Sequence, residues 1–488
     1  MRHAISVSLI AFVLVQVLTF PSSPTDKPTV VATSFSQVQP ILAVLSDDLP
    51  LDLKKGSQSE LETAWPAWIK RHEGEVRARL LRGEEDTMVN FLTFGTSFTA
   101  EPRLTAAEFA RLGPILSQSQ PSPDHSPTAA IFFKRLEDLL RGMANPGTNE
   151  RLLFVARLAE IYGYHPRQAQ GSHPDLAEQK RLKAFLIANA VRVIQEQAGF
   201  QKEFEQARRL NDRSEDFAIR SKLYRSRGIS LDTSLFPNLG IEESLKAMLE
   251  RNLIAPGSIR KVAIIGAGLD FTDKGGGYDY YPTQSIQCFA LMDSLLRLGL
   301  ARSEELKLTA LDVSQQVNDH LARAKRNAAR GQDYVLQLPL DSETPWKAVV
   351  SRYWKGFGNQ IGRPITPIRV PALTRNVETR AVSIRPAVVS MISSVNLDIV
   401  TQHLQFPPSE GFDLIVATNV FLYFDLFEQF LAMANAQEML RPGGFLLSNN
   451  SLPVLDNSGM RAVDYLSIFY SERQDDGDVI VWYQKSSP

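Results

Sequence analysis

The segment Lys261–Gly268, KVAIIGAG, is the feature that most constrains the fold of this chain. Its apolar run leads directly into two glycines, a pattern typical of a buried parallel strand that ends in a tight turn. Glycines in such a turn let a ligand approach the backbone, because no Cβ stands in the way. A ligand there would also meet backbone N–H groups at the carboxyl end of the sheet. The segment therefore predicts an α/β sheet, with either a binding site at this turn or only a tight bend that leaves a buried strand.

Strand-like and helix-like segments alternate from about residue 251 to the C terminus. The apolar runs that predict parallel strands are 261–265, 306–312, 387–395, 412–419 and 445–450. Because amphipathic segments separate these runs, they predict a Rossmann-like, doubly wound, mostly parallel sheet with helices on both faces. The last two runs, 465–472 and 478–485, are joined by the turn-forming residues RQDDG and predict an antiparallel C-terminal hairpin.

The 488 residues of the chain are too many for one ordinary core, so at least two domains are expected. Charged amphipathic segments predict an all-α domain over residues 51–245, with Pro66 breaking its first long helix. A linker is expected at 25–50. The α/β domain is expected over 246–488, with an insertion at 341–386 between its second helix and its third strand.

The N-terminal residues 1–24 predict a signal peptide or an uncleaved anchor. Arg2 is followed by an apolar run from Ala4 to Phe20, and no formal charge appears before Asp26. This pattern favours export. If the segment stays uncleaved, the positive-inside rule places the rest of the chain on the outer side of the membrane. The alternatives are a first helix packed on the body and a cytoplasmic chain whose start is misassigned.

Composition narrows the classes of partner and cofactor. A formal net charge of -1 gives no reason to expect nucleic acid as a partner. The lone Cys288 excludes an internal disulfide framework, and the seven scattered histidines show no metal-ligand spacing, so no metal is predicted.

The turn after the first strand lacks the features of other nucleotide sites. The third glycine of a dinucleotide fingerprint is missing, because Leu269, Asp270 and Phe271 follow Gly268. The acid that ends the second strand, Asp312, lies 46 residues after Gly266, whereas a dinucleotide site places it roughly 20 residues on. No Gly-Lys-Ser or Gly-Lys-Thr follows, so the turn is not a P-loop.

Residues 250–488 carry five motifs in the order found in one enzyme family. The motifs are VAIIGAGLD (262–270), LTALDVS (308–314), VNLDIVTQHL (395–404), FDLIVATNVFLYFD (412–425) and EMLRPGGFLLSNN (438–450). With these motifs and the closing hairpin, the region resembles the class I S-adenosylmethionine-dependent methyltransferases. The helical N-terminal region resembles no family that we recognise.

The resemblance implies S-adenosyl-L-methionine as the cofactor and assigns residues to its parts. Asp312 would accept the ribose hydroxyls, because a carboxylate accepts from both. The other residues that the resemblance nominates for the cofactor are Gly266, Ala267, Gly268, Val313, Leu397, Asp398 and Asn419. The first three would wrap the amino-acid part, and Leu397 and Asp398 would border the adenine. The segment 224–245, with Arg225 and Arg227, is a candidate to fold over the cofactor.

The methyl acceptor is not identified by any motif. A sulfonium methyl is already activated, so no universal base marks the catalytic residue. Candidate acceptor contacts are Tyr280, Tyr281, Gln284 and Tyr423, which are expected at the mouth of the site. Two functions remain open: a methyltransferase acting on a small molecule or a protein, and an exported binding or scaffold protein that keeps the fold without catalysis.

Overall fold

The computed structural model describes most of the chain beyond the N-terminal segment. The described residues are 29–45, 48–169, 175–210, 228–233, 235–271, 278–372, 374, 376–407, 410–455, 458–473 and 476–487. The predicted signal or anchor at 1–24, the glycine run 275–277, Arg225 and Arg227 lie outside them. No helix within the described ranges is both long and apolar enough to span a bilayer.

A seven-stranded sheet forms the centre of the described C-terminal half. Its strands, in spatial order, are β11 (Met460–Phe469), β12 (Gly477–Lys485), β10 (Leu440–Ser448), β9 (Phe412–Ala417), β2 (Lys261–Ile265), β3 (Lys307–Asp312) and β7 (Ile392–Asn396). The five strands from β10 to β7 pair in parallel, whereas β12 runs antiparallel to both of its neighbours. The predicted C-terminal hairpin is thus confirmed.

The order of the parallel strands defines the fold. Taken by their sequence among the sheet strands, β7, β3, β2, β9 and β10 follow the order 3-2-1-4-5 of a doubly wound sheet. The dinucleotide fold would add a sixth parallel strand, but here the antiparallel β12 occupies that place. Strand order reverses beside β2, so the crevice at its carboxyl end is the expected ligand site.

The central strands are apolar because both faces of the sheet are covered. Every residue of β9 is buried, and so are Val262 to Ile265 of β2. The helices of this half are α9 (Phe236–Glu250), α10 (Gln287–Arg297), α11 (Gln315–Ala328), α12 (Ala348–Gly356), α13 (Pro386–Ser390) and α14 (Leu426–Met439). The Ser314 side chain caps α11 by accepting from the N–H of Val317.

The N-terminal half is helical, as expected. Its helices are α1 (Phe35–Val44), α2 (Gln58–Phe94), α3 (Ala106–Arg111), α4 (Gly113–Leu116), α5 (Pro127–Ala144), α6 (Glu150–Ile161), α7 (Pro166–Ala169) and α8 (Leu176–Leu210). Helix α2 continues through Pro66, so the predicted break there is wrong. The tryptophans on either side, Trp65 and Trp68, stack on each other and pack edge-on against Phe427, which stabilises the helix across the proline.

The region 25–50 was expected to be a linker, but its described part is folded onto the α/β domain. Strand β1 (Thr29–Ala32) pairs antiparallel with β8 (Gln402–Gln405). The Trp65 indole N–H donates to the carbonyl of Thr33 over 2.8 Å, and the Thr33 hydroxyl donates to Asn435 over 3.0 Å. These backbone partners are distant in sequence, so no local pattern marks the pairing.

The insertion forms a small sheet of its own. Strands β4 (Tyr334–Asp341), β6 (Val377–Ile384) and β5 (Gly362–Ile365) pair antiparallel in that order. The inserted structure therefore begins near 334 instead of 341. The apolar run predicted as one strand at 387–395 is divided, because Pro386 begins the short helix α13 before β7 starts.

Candidate functional site

A cavity lies at the carboxyl ends of β2, β3, β7 and β9, where the strand order reverses. Five groups of residues line it: Val76 and Leu80 from α2; Ile229–Thr233 with Pro237; Ile265, Gly266, Gly268 and Gln287; Leu311–Ser314; and Leu397–Ile399 with Thr418–Val420, Tyr423 and Phe424. The sheet supplies the floor of this cavity, and the helical half supplies part of its wall.

The glycine turn at the end of β2 requires its glycines. Gly266 and Gly268 adopt φ angles of 73° and 59°, which residues with a Cβ rarely accept. A Cβ on Gly266 would lie 2.5 Å from Val420 Cγ2, and one on Gly268 would lie 2.8 Å from the carbonyl oxygen of Leu231. Ala267 between them is buried away from the cavity lining. The turn is therefore closely packed by the chain itself.

Asp312 ends β3 directly beside this turn. Its carboxylate accepts hydrogen bonds from the backbone N–H groups of Gly268 (3.1 Å) and Ser314 (2.8 Å). Burial raises the pKa of the Asp312 carboxyl to about 6, against the lowering effect of N–H donors from Ser314, Gly268 and Ala267. The side chain is thus an ionised acceptor at neutral pH, held in place by backbone donors, and its neighbour Val313 also lines the cavity.

A short segment, Ile229–Thr233, covers the glycine turn, and we call it the strap. The N–H of Leu269 donates to the carbonyl of Leu231 over 2.8 Å, and the N–H of Thr233 donates to the carbonyl of Leu269. The other end of the strap is held on α2, where the N–H of Ile229 donates to the backbone carbonyl of Arg79 over 2.9 Å. Part of the segment 224–245 thus lies against the glycine turn and lines the cavity, whereas its role in covering a cofactor stays a prediction.

Leu397 and Asp398 follow directly after strand β7, and their contact with an adenine stays a prediction. The Leu397 N–H donates to the carbonyl of Asp312, which links the segment after β7 to the end of β3. The Asp398 carboxylate accepts from the N–H of Val400 over 3.0 Å, and its other oxygen lies 3.0 Å from His72 Nε2. Both residues line the cavity, and Asp398 is held by a side chain from the helical half.

Asn419 and Tyr423 lie at the rim of the cavity. Asn419 adopts a φ of 58°, and its side chain accepts from the Asn449 amide over 2.8 Å. The Tyr423 hydroxyl accepts from the N–H of Ser230, and its carbonyl accepts from Arg79 over 2.6 Å. Tyr423 thus connects the strap and α2 to the turn that follows β9. Its role in acceptor binding stays a prediction.

The other candidate acceptor contacts lie outside the cavity lining. The Tyr281 hydroxyl and the Gln284 amide both donate to one carboxylate oxygen of Asp270, over 2.8 and 2.9 Å. Tyr280 packs edge-on against Tyr281, at a ring distance of 5.2 Å. The Tyr281 ring packs against Arg151 of the helical half, and the Gln284 amide donates to the carbonyl of Gln337 in β4. The structure therefore does not bring these side chains to the mouth of this cavity.

All charged side chains among the described lining residues are acidic: Asp232, Asp312 and Asp398. The remaining lining is mostly apolar, including Val76, Leu80, Ile229, Leu231 and Phe424. Three carboxylates without a lining cation favour a neutral or cationic ligand and disfavour phosphates, because like charges repel across a low-dielectric site. In the described part of the chain, no group of three or more His, Cys, Asp or Glu side chains is placed to hold a metal ion.

Sequence reasoning missed the wall supplied by α2. His72, Val76 and Leu80 recur at four-residue spacing, which places them on one helical face with Trp65 and Trp68. That spacing marks a buried face, but it does not reveal which surface covers it. The position of the wall follows only from the packing of α2 against the α/β domain.

Among known proteins, the chain finds matches only with solved structures. No protein-family model matches the chain, and no curated protein matches it. A solved glycopeptide N-methyltransferase, MtfA, complexed with S-adenosylmethionine is 13% identical, with a TM-score of 0.22 and coverage of 53% of this chain and 96% of that one. The magnesium protoporphyrin IX methyltransferase of Synechocystis PCC 6803 is 10% identical, with a TM-score of 0.23 and coverage of 51% and 81%. Human N-acetylserotonin methyltransferase is 9% identical, with a TM-score of 0.23 and coverage of 87% and 98%.

The strand order, more than any overall similarity, defines the architecture. A 3-2-1-4-5 parallel sheet, an antiparallel last strand inserted beside the fifth, and a glycine turn after the central strand occur together. The C-terminal half of this chain therefore has the class I S-adenosylmethionine-dependent methyltransferase fold.

Proposed function

We propose that the chain is an S-adenosylmethionine-dependent methyltransferase whose cofactor binds in the cavity at the end of β2. One observation carries the proposal: the buried Asp312 carboxylate and the Gly266–Gly268 turn meet at the point where strand order reverses. This is the position at which open α/β sheets bind their ligands.

The chemistry of the lining fits this cofactor. S-adenosylmethionine carries a sulfonium, an ammonium and a carboxylate, so its net charge is positive and matches three lining aspartates. Asp312 would hold the ribose hydroxyls, and Leu397 and Ile399 offer apolar surface to the adenine. A dinucleotide or nucleoside triphosphate fits poorly, because the described lining offers no cation for its phosphates.

When bound, the cofactor supplies an activated methyl group. The protein then has to position an acceptor and exclude water, which would otherwise compete for the methyl. The strap and the α2 side chains Val76 and Leu80 cover the cavity and serve this exclusion. We assign the acceptor to the broad class of small molecules or proteins, and no nucleic acid is expected from the net charge of -1.

Calorimetry with S-adenosylhomocysteine on the full-length chain tests the proposal. We expect binding in the micromolar range, roughly -8 kcal/mol, and a loss of at least about tenfold in affinity on Asp312→Ala. Failure of the chain to bind, or binding that Asp312→Ala leaves unchanged, would contradict it. Binding without methyl transfer to any acceptor in a cell extract would favour the rival function, a non-catalytic binding or scaffold protein.

We also propose that residues 1–24 direct the chain to export or to a membrane. The support is the basic start and the uncharged, mostly apolar run from Ala4 to Phe20. Fractionation of cells that express the full-length chain, followed by mass determination of its N terminus, distinguishes cleavage from anchoring. Recovery of intact chain in the soluble cytoplasmic fraction would refute the proposal.

A further inference from the structure

His72 of helix α2 lies between two carboxylates of the α/β domain. Its Nε2 is 3.0 Å from Asp398 Oδ2, and its Nδ1 is 3.2 Å from Glu428 Oε1. The imidazole is almost fully buried and stacks on Trp68 at a ring distance of 5.1 Å. No local sequence pattern links these residues, since His72 and Asp398 are 326 positions apart.

The geometry defines the protonation state of His72. Each ring nitrogen faces a carboxylate oxygen, and ionised carboxylates only accept hydrogen bonds. Both nitrogens must therefore donate, which only the imidazolium form can do. Burial alone would lower the pKa of His72, but the hydrogen bonds and charges of Asp398 and Glu428 outweigh it and raise the pKa to about 10.

Both carboxylates are fixed on their other sides. Glu428 accepts from the N–H of Asp425 over 2.8 Å, in the capping box that begins α14. Asp398 accepts from Val400 and lines the cavity, with its side chain 13% exposed. His72 itself does not line the cavity, so its effect on a ligand can only pass through Asp398.

We propose that His72 is a positioning residue that holds Asp398 at the cavity wall as a hydrogen-bond acceptor, so that the site selects a ligand with a donor at this end. The inference rests on the proposed function. The proposed function assigns the ribose hydroxyls to Asp312, and the exocyclic amine of adenine is then the donor left for Asp398. Without the imidazole, the Asp398 oxygen that faces His72 loses its hydrogen-bond donor, and nothing on this side fixes the orientation of the carboxylate.

A pair of ligands separates this role from simple packing. S-inosylhomocysteine carries a carbonyl oxygen where S-adenosylhomocysteine carries the amine. This oxygen cannot donate a hydrogen bond to the Asp398 carboxylate, which itself only accepts. We expect the full-length chain to prefer the adenosyl compound by at least about tenfold in Kd, the cost of an unpaired buried polar group. In His72→Gln the preference should fall to within about threefold, because an Asp398 carboxylate that is no longer held in place does not discriminate between the two compounds.

Trp65→Phe is the matched control. Trp65 lies on the same face of α2 as His72 and packs this helix against Phe427 of the α/β domain. Among its described contacts are neither Asp398 nor a residue of the cavity lining. This variant should lose stability and keep the full preference for the adenosyl compound. Loss of the preference in Trp65→Phe, or its retention in His72→Gln, would overturn the inference. Failure of the unmodified chain to bind either compound would instead refute the proposed function.

A measurement on the unmodified chain covers the case in which His72→Gln does not fold. Nitrogen NMR of the histidine-labelled chain should show an imidazolium that keeps both protons at about pH 8, since ordinary histidines are neutral there. Its signals should shift when S-adenosylhomocysteine saturates the site. Signals of a neutral ring, or an imidazolium that the ligand leaves unchanged, would overturn the inference.

Discussion

Gly83 of helix α2 and Gly228, which precedes the strap, lie backbone against backbone. A Cβ on Gly83 would overlap the carbonyl of Ile229, and a Cβ on Gly228 would overlap the backbone of Gly83. The N–H of Ile229 donates to the carbonyl of Arg79 one turn earlier on α2. The strap is thus held over the glycine turn by a contact that only two glycines permit.

Gly83→Ala should displace the strap and weaken ligand binding. Alanine normally stabilises a helix by up to about 1 kcal/mol over glycine, but here its Cβ meets backbone that cannot move alone. We expect lower stability and about a tenfold loss of affinity for S-adenosylhomocysteine, measured by chemical denaturation and calorimetry. Gly74→Ala on the same helix is the control, because its Cβ would meet nothing within 4 Å. If both variants gain stability equally, the contact has no such role.

Ligand affinity should fall in mild acid through Asp312. Burial raises the pKa of this carboxyl to about 6 from 3.8, so it takes up a proton as the pH drops below that value. A protonated carboxyl accepts hydroxyl hydrogen bonds less well, and the affinity for S-adenosylhomocysteine should fall by about tenfold from about pH 7 to about pH 5. Asp312→Asn should bind weakly at both pH values. An unchanged affinity of the parent chain across this range would contradict the prediction.

Stability should fall in alkali through His72. The folded-state pKa of this imidazole is raised to about 10 from 6.5. Its contribution to stability is therefore fully present below the unfolded value of 6.5 and is lost as the pH rises through about 10. We expect the free energy of unfolding by urea to decrease from neutral pH to about pH 10 more steeply in the parent chain than in His72→Gln. Parallel curves for the two proteins would refute the assignment.

Arg135 stabilises the helical half from within. Its guanidinium is fully buried and donates to the carbonyls of Leu92, Glu101, Pro102 and Gly95. Arg135→Met keeps the volume but removes the donors, so we expect a loss of about 3–5 kcal/mol in thermal or chemical unfolding.

Arg141→Met on the same helix is the comparison for Arg135. Arg141 is exposed and pairs only with Asp138, so its replacement should cost at most about 1 kcal/mol. Equal losses in the two variants would show that the buried hydrogen bonds do not provide the difference.

The sequence was sufficient to predict the central sheet and several of the residues that line its crevice. Gly266, Asp312 and Leu397 follow apolar runs that read as parallel strands, and such strands end at one edge of a sheet. The structure accordingly brings these residues to one cavity, together with Gly268 and Asp398. Their roles toward a cofactor stay predictions.

The cover of the site could not be predicted in the same way. Val76 and Leu80 lie far from the crevice in sequence, and their spacing indicates only a buried helical face. Tyr281 and Gln284 were expected at the cavity mouth because glycines precede them, but Asp270 binds both side chains elsewhere. Long-range packing decides both cases, and it leaves no periodic signal.

The pairing of β1 with β8 limits how far the body of the protein can move from whatever precedes it. Residue Thr29 is fastened to Gln405, and four residues, 25–28, separate it from the proposed export segment. Four residues reach at most about 14 Å even when fully extended. An uncleaved anchor would therefore hold the α/β domain directly against the bilayer surface, whereas cleavage would release the domain from it.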